Sequence, residues 1–143
     1  MKYLIEEAIK AAQKAYAPYS GYYVGAALQT KDGRIFRGCN VENASYGATN
    51  CAERTAIFKA VSEGAREFSA IAIVGGPEER ISGESTGLVN GERFSEYAYP
   101  CGICRQVLQE FCGQDFRIIV ARSVDDYKVY SLKELLPHGF GPC

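Results

Sequence analysis

Two short stretches gather the side chains best suited to chemistry: Cys51-Ala52-Glu53-Arg54 and Pro100-Cys101-Gly102-Ile103-Cys104-Arg105. Both place cysteine at the start of a predicted helix. Unpaired amides and the positive dipole end there favour thiolate, the form that binds a metal ion. Cys101 and Cys104 lie three residues apart, so they share one helix face and can chelate one ion. Cys51 completes three sulfur ligands if the two helix ends converge. Zinc prefers a tetrahedron, and three protein ligands leave its fourth position to water, whose pKa then falls to about 7. Glu53 is the expected general base and acid, taking a proton from that water and passing it to a leaving amine. On a regular helix Glu53 points to a different side from Cys51, so the ion must sit at the helix end, where first-turn side chains converge. Arg54 has a separate part. Three thiolates on a divalent cation leave a net charge of about −1, and an arginine donating hydrogen bonds to the sulfurs offsets it.

These stretches need elements to bring them together. Leu4, Ile5, Ala8, Ile9, Ala12, Ala15 and Tyr16 repeat at helical spacing, and Pro18 and Gly21 stop that opening helix. Val24 to Leu28 and Ile35 to Cys39 read as strands joined at Asp32-Gly33, where glycine supplies the positive backbone angle of a tight turn. Gly25, Ala26 and Ala27 imply a close backbone approach by a helix or a ligand. A helix from about Cys51 to Glu63 is apolar around most of its circumference, including Phe58 and Val61, and reads as central. Ala70 to Val74 reads as a buried strand. Pro100 then opens a helix with the apolar stripe Ile103, Cys104, Val107, Leu108 and Phe111. Strands at Phe116 to Ala121 and Tyr127 to Tyr130 follow, and Ser131 with Glu134 makes a capping box for a short helix ended by Pro137. This order implies an α/β fold, a three-layer α-β-α sandwich around a mixed sheet of about five strands. Residues 77 to 99 have no clear period, and loops of that length are usually functional or disordered.

Composition narrows the function. One domain spanning 1–143 is the expectation for 143 residues, with 47% hydrophobic and 23% charged side chains. Sixteen Lys and Arg against seventeen Asp and Glu give a net charge of −1, without the basic excess of a nucleic-acid polymer binder. No apolar run is long enough for a membrane span, and the start shows no export signal, so a soluble cytoplasmic protein is expected. In that compartment six cysteines point to metal or thiol chemistry rather than disulfides. The single histidine, His138, excludes chemistry that needs two in one subunit.

The spacing follows the signature of zinc-dependent deaminases. The chain resembles the cytidine deaminases of the small, homotetrameric, three-cysteine kind over nearly its whole length. The likeness rests on Pro18-Tyr19-Ser20, Val24 to Leu28, Gly38 to Asn43, Cys51 to Ala56, Pro100 to Val107 and Glu134 to Pro137. It implies one zinc per subunit and deamination of free cytidine and deoxycytidine to uridine and deoxyuridine, as in pyrimidine salvage. It further implies that Asn40 and Glu42 hold the ribose hydroxyls and that the Ala52 amide binds the pyrimidine carbonyl. Tyr22 would lie against the base, standing where phenylalanine is usual. Phe140 and Tyr46 would reach in from neighbouring subunits. Residues 77 to 99 exceed the corresponding family link and are expected to cover the pocket or a subunit interface.

Plainer readings stand beside these. Cys104 alone fits a core cysteine, and Cys101 with Cys104 alone fits a redox pair. Cys39 or Cys112 as a fourth thiolate would close the site into a structural zinc knot. Glu42 and Asn40 taken singly fit solvated turn residues, and Phe140 fits its own core. A deaminase of bases in nucleic acid would need a basic, aromatic-rich groove. A deaminase of another cytosine-like nucleoside and a non-enzymatic zinc module complete the alternatives.

Overall fold

Side-chain alternation along the inner strands divides the core into two faces, and the helices are distributed between them. The computed structural model describes residues 1–78 and 94–142. Its elements are α1 (Lys2–Ala12), β1 (Tyr22–Thr30), β2 (Ile35–Cys39), α2 (Ala52–Ser62), β3 (Phe68–Pro77), α3 (Gly102–Phe111), β4 (Arg117–Ala121), β5 (Tyr127–Ser131) and α4 (Leu132–Leu135). The strands form one sheet in the order β2-β1-β3-β4-β5. Neighbours are antiparallel except β3 and β4, which are parallel. A parallel pair cannot be joined by a hairpin, and α3 lies in the crossover that joins this one.

Ala26, Leu28, Ile71, Ile73, Ile118 and Val120 face α2, α3 and α4. Their neighbours Ala27, Ala70, Ala72, Val74, Ile119 and Ala121 face α1, packing with Leu4, Ile5, Ala8 and Ala12. The expected three layers around a mixed five-stranded sheet are present. Two glycines let the helices close on the sheet. A Cβ at Gly25 would overlap the Ala8 carbonyl oxygen, and one at Gly38 would overlap the Ala52 carbonyl oxygen and the Ala56 amide. The small-residue signal on β1 therefore marks a helix crossing. The capping box at α4 forms in both directions, Ser131 N–H donating to Glu134 Oε1 at 2.8 Å and Glu134 N–H to Ser131 Oγ at 3.2 Å.

Three placements differ from the sequence reading. The central character of α2 is confined to Ala52, Ala56, Ile57 and Ala60, while Phe58 is 46% exposed. Ile103 is 62% exposed although it belongs to the apolar stripe of α3, because it heads the half-buried flank of Val107 and Phe111, beside the buried line of Cys104 and Leu108. Phe94 is fully buried on the α1 face, whereas Ala98 packs on the α2 and α3 face. Residues 94–98 thus carry the chain from one face to the other before α3. The expectation that residues 77 to 99 cover a pocket or an interface falls mostly on 79–93, outside the described residues.

Candidate active site

Cys51 and Cys101 hold equivalent posts. Each is the N-cap of its helix, with φ −74°, ψ 157° at Cys51 and φ −69°, ψ 167° at Cys101, and neither side chain bonds its own helix amides. Both sulfurs can therefore aim at a shared centre lying in the positive potential of two helix ends. Cys104 lies one turn along α3 and is fully buried. The Cys101 sulfur is 3.8 Å from that of Cys51 and 3.6 Å from that of Cys104, and all three lie within 4.8 Å of one another. Tetrahedral zinc with Zn–S bonds of ~2.3 Å needs sulfur–sulfur edges of ~3.8 Å, so the donor set fits this ion. Among the described residues no fourth His, Cys, Asp or Glu joins the set at that spacing. Cys39 and Cys112, the possible fourth thiolates of a closed knot, are outside it. Burial pushes the Cys112 thiol up to about 12, as expected of a core cysteine.

Local bonds fix where the first sulfur points. Thr55 Oγ donates to the Cys51 carbonyl at 3.1 Å and accepts from Asn50 Nδ2 at 3.1 Å. Asn50 in turn exchanges backbone bonds with Val41, and Glu42 N–H reaches the Tyr16 carbonyl. This small ladder places Asn40 and Glu42 beside the start of α2.

The charges favour the thiolate at Cys51. The Cys51 thiol is lowered to about 5, first by the Cys104 thiol beside it and then, against the effect of burial, by Arg54. Cys104 is pushed upward by its contact with Cys51, by burial and by Glu53. Arg54 Nη2 donates to Cys51 Sγ at 3.1 Å. Its buried Nε–H has no hydrogen-bond partner among the described residues. Burial lowers its affinity for a proton, but the two cysteines raise it further. Glu53 is 4% exposed, and burial pushes its carboxyl up to about 7, with the Cys51 charge adding to the effect.

The remaining expected site residues fall into two groups. Glu42, Asn40, Tyr22 and Ala52 lie together on the cysteine side of the fold. Ala52 opens α2, and its N–H is one of the first-turn amides that no carbonyl of the helix can reach. Asn40 is buried, its Oδ1 accepting from Val24 N–H at 2.9 Å and its Nδ2 donating to the Tyr22 carbonyl at 2.8 Å. One lone pair and one N–H of that amide are left for other partners. The Tyr22 ring is half-buried over Gly75. Tyr46 and Phe140, by contrast, are 75% and 78% exposed. Tyr46 touches the edge of Tyr19 at 5.9 Å between ring centroids. Tyr19, Ser20, Glu42, Tyr46 and Thr49 line an open hollow of about 350 Å³. A larger hollow of about 660 Å³ lies around Tyr3, Glu7, Arg37 and Lys59 and includes none of the cysteines or Glu53, so size does not locate the site.

Two supporting residues escape a reading of spacing. Arg105 donates from Nε to the Pro100 carbonyl and from Nη1 to the Leu135 carbonyl, both at 2.8 Å, pinning the cysteine-bearing end of α3 to α4. Its position directly after Cys104 was the available signal. Ser20 bonds Glu42 across 22 residues, and only the turn residues around it hinted at a role.

Residues 1–120 match the family model of the cytidine and deoxycytidylate deaminase zinc-binding region. A cytidine deaminase from Halalkalibacterium halodurans is 46% identical over 137 residues, covering 96% of this chain and 91% of that one. Another from Sporosarcina psychrophila is 44% identical over 137 residues, covering 96% and 88%. The crystal structure of cytidine deaminase from Burkholderia pseudomallei superposes with a TM-score of 0.78 at 46% identity, covering 96% of this chain and 97% of that one.

Proposed function

Because the chain belongs to the cytidine and deoxycytidylate deaminase zinc-binding family, we propose that it hydrolyses the amino group from free cytidine and deoxycytidine. The products are uridine or deoxyuridine and ammonia. The three-sulfur cluster beside a buried carboxyl carries this reading. Cys51, Cys101 and Cys104 hold one zinc per subunit, which when bound supplies a Lewis acid that makes water nucleophilic at neutral pH. Arg54 offsets the thiolate charge. Glu53 moves the protons: it takes one from the attacking water and delivers it to the ring nitrogen beside the amino-bearing carbon, then takes the second from the hydroxyl added at that carbon and hands it to the departing ammonia as the carbonyl forms. The Ala52 amide receives the pyrimidine carbonyl, Tyr22 lies against the base, and Asn40 and Glu42 hold the sugar hydroxyls.

Tyr46 and Phe140 complete the site of a neighbouring subunit in a homotetramer; their exposure in a single chain supports this. Residues 1–143 act as one domain, in the cytoplasm, in pyrimidine salvage. The balanced charge supports a free nucleoside over a nucleic-acid strand as substrate. No helix among the described residues is long and apolar enough to cross a membrane.

Glu53→Gln tests the central assignment. The variant is expected to retain zinc, measured by metal analysis, and to lose at least about a hundredfold in turnover of cytidine in an ultraviolet assay. Normal turnover in that variant removes Glu53 from the mechanism. Zinc without turnover in the unmodified protein would favour a binding module instead.

A further inference from the structure

Glu42 stands on a loop, where a carboxylate swings freely unless something beyond the loop restrains it. Three donors do so. The amides of Tyr19 and Ser20 donate to Oε1 at 2.9 and 3.0 Å, and the Ser20 hydroxyl donates to Oε2. The Ser20 hydroxyl is the first cause of a carboxyl held below its ordinary range. An ionised carboxylate offers about four acceptor positions. With two used on Oε1 and one on Oε2, the remaining position is on Oε2, beside the Ser20 hydroxyl, in the hollow lined by Ser20, Glu42 and Tyr46.

Ser20 also reaches the other half of the site. Its oxygen accepts the Tyr22 N–H at 3.0 Å, while the Tyr22 carbonyl accepts the Asn40 amide. The backbone of the residue placed against the base is therefore gripped on one side by Ser20 and on the other by Asn40. We propose that Ser20 is the positioning residue for sugar selectivity, aiming the last acceptor of Glu42 at a hydroxyl and keeping it in register with Tyr22. This rests on the reading of Glu42 as a sugar ligand. A serine has one proton to donate and lone pairs to accept with, so alanine removes both bonds and threonine keeps both.

The zinc-loaded variants Ser20→Ala, Ser20→Thr and Glu42→Gln, assayed with cytidine and 2′,3′-dideoxycytidine, test the proposal. The ratio of kcat/KM between the two substrates on one preparation is independent of the active fraction. For Ser20→Ala, kcat/KM on cytidine should fall about tenfold, chiefly through KM, with less than about a twofold change on the dideoxy substrate, because Asn40 and the pairing of β1 with β3 still hold Tyr22. Ser20→Thr should restore the ratio. Equal losses on both substrates, or no loss on cytidine, overturn the role of Ser20. Ser20→Gly, read by the same ratio, serves if the alanine variant does not fold. Glu42→Gln should erase the preference for cytidine. If the preference survives that change, the sugar assignment of Glu42 falls and this inference with it. If only Ser20→Ala leaves the preference intact, Glu42 stands and Ser20 does not.

Discussion

Cys104 and Cys112 are both buried, and burial alone would make both plain core cysteines. Geometry separates them. Cys104 has a second sulfur at 3.6 Å and a carboxyl beside it, whereas burial alone holds the Cys112 thiol up at about 12. Cys104→Ala is therefore expected to abolish zinc binding and turnover. Cys112→Ala should keep both and lose only about 1 kcal/mol of stability, read by denaturant unfolding of the zinc-loaded protein. Zinc loss in Cys112→Ala would mean that the sulfur set has been misassigned. The ligand set was legible as spacing because an N-cap cysteine and a partner one turn along are local features. The restraint on Glu42 was not legible: Ser20 lies 22 residues away, and only the fold brings it there. Asn40 shows the same limit. Its type announces a polar partner, but not that two of its bonds go to the β1 backbone.

At the scale of elements, β2 runs over Ile35–Cys39 as its apolar pattern predicts, because a strand beside a glycine turn carries its own punctuation. β1 reaches further than its small-residue core, to Tyr22, because β3 pairs with it as far as Pro77. Periodicity misleads at the margin of a buried face: Phe58 and Ile103 adjoin the buried Ile57 and Cys104 yet face outward. Phe94 was missed for the opposite reason, as a lone aromatic without a period whose burial comes from tertiary contacts. The two glycine crossings give a prediction that separates fold from site. Gly25→Ala and Gly38→Ala both force a methyl group into helix backbone and should each cost about 1–3 kcal/mol or more. Gly25 lies under α1, so its variant should fold less stably yet keep zinc affinity. Gly38 lies under Ala52 and Ala56 at the start of α2. Its variant should also weaken zinc and slow turnover, because the helix end that carries Cys51 must shift. Equal effects on zinc affinity would show that the α2 crossing does not position the metal site.

At the scale of the whole molecule, side chains assigned to the substrate divide between those a single chain gathers and those it leaves outside. Glu53, Asn40 and Ala52 are buried and Tyr22 is half-buried, while Tyr46 and Phe140 project with most of their surface exposed. Aromatic side chains in solvent leave a large apolar surface uncovered, and a symmetric oligomer is the usual way to bury such surface. If each Phe140 completes a neighbour's site, two damaged chains can repair each other. A Glu53→Gln subunit keeps Phe140 but lacks the proton carrier, and a Phe140→Ala subunit has the reverse defect. Refolded together in equal amounts, they should assemble so that about a quarter of sites combine an intact Glu53 with a neighbour's intact Phe140. Activity should rise well above the sum of the two proteins kept apart, and mass measurement in solution should give a tetramer. Activity equal to that sum, from mixed tetramers confirmed by mass, would show that Phe140 serves its own chain and that each site is complete within one subunit.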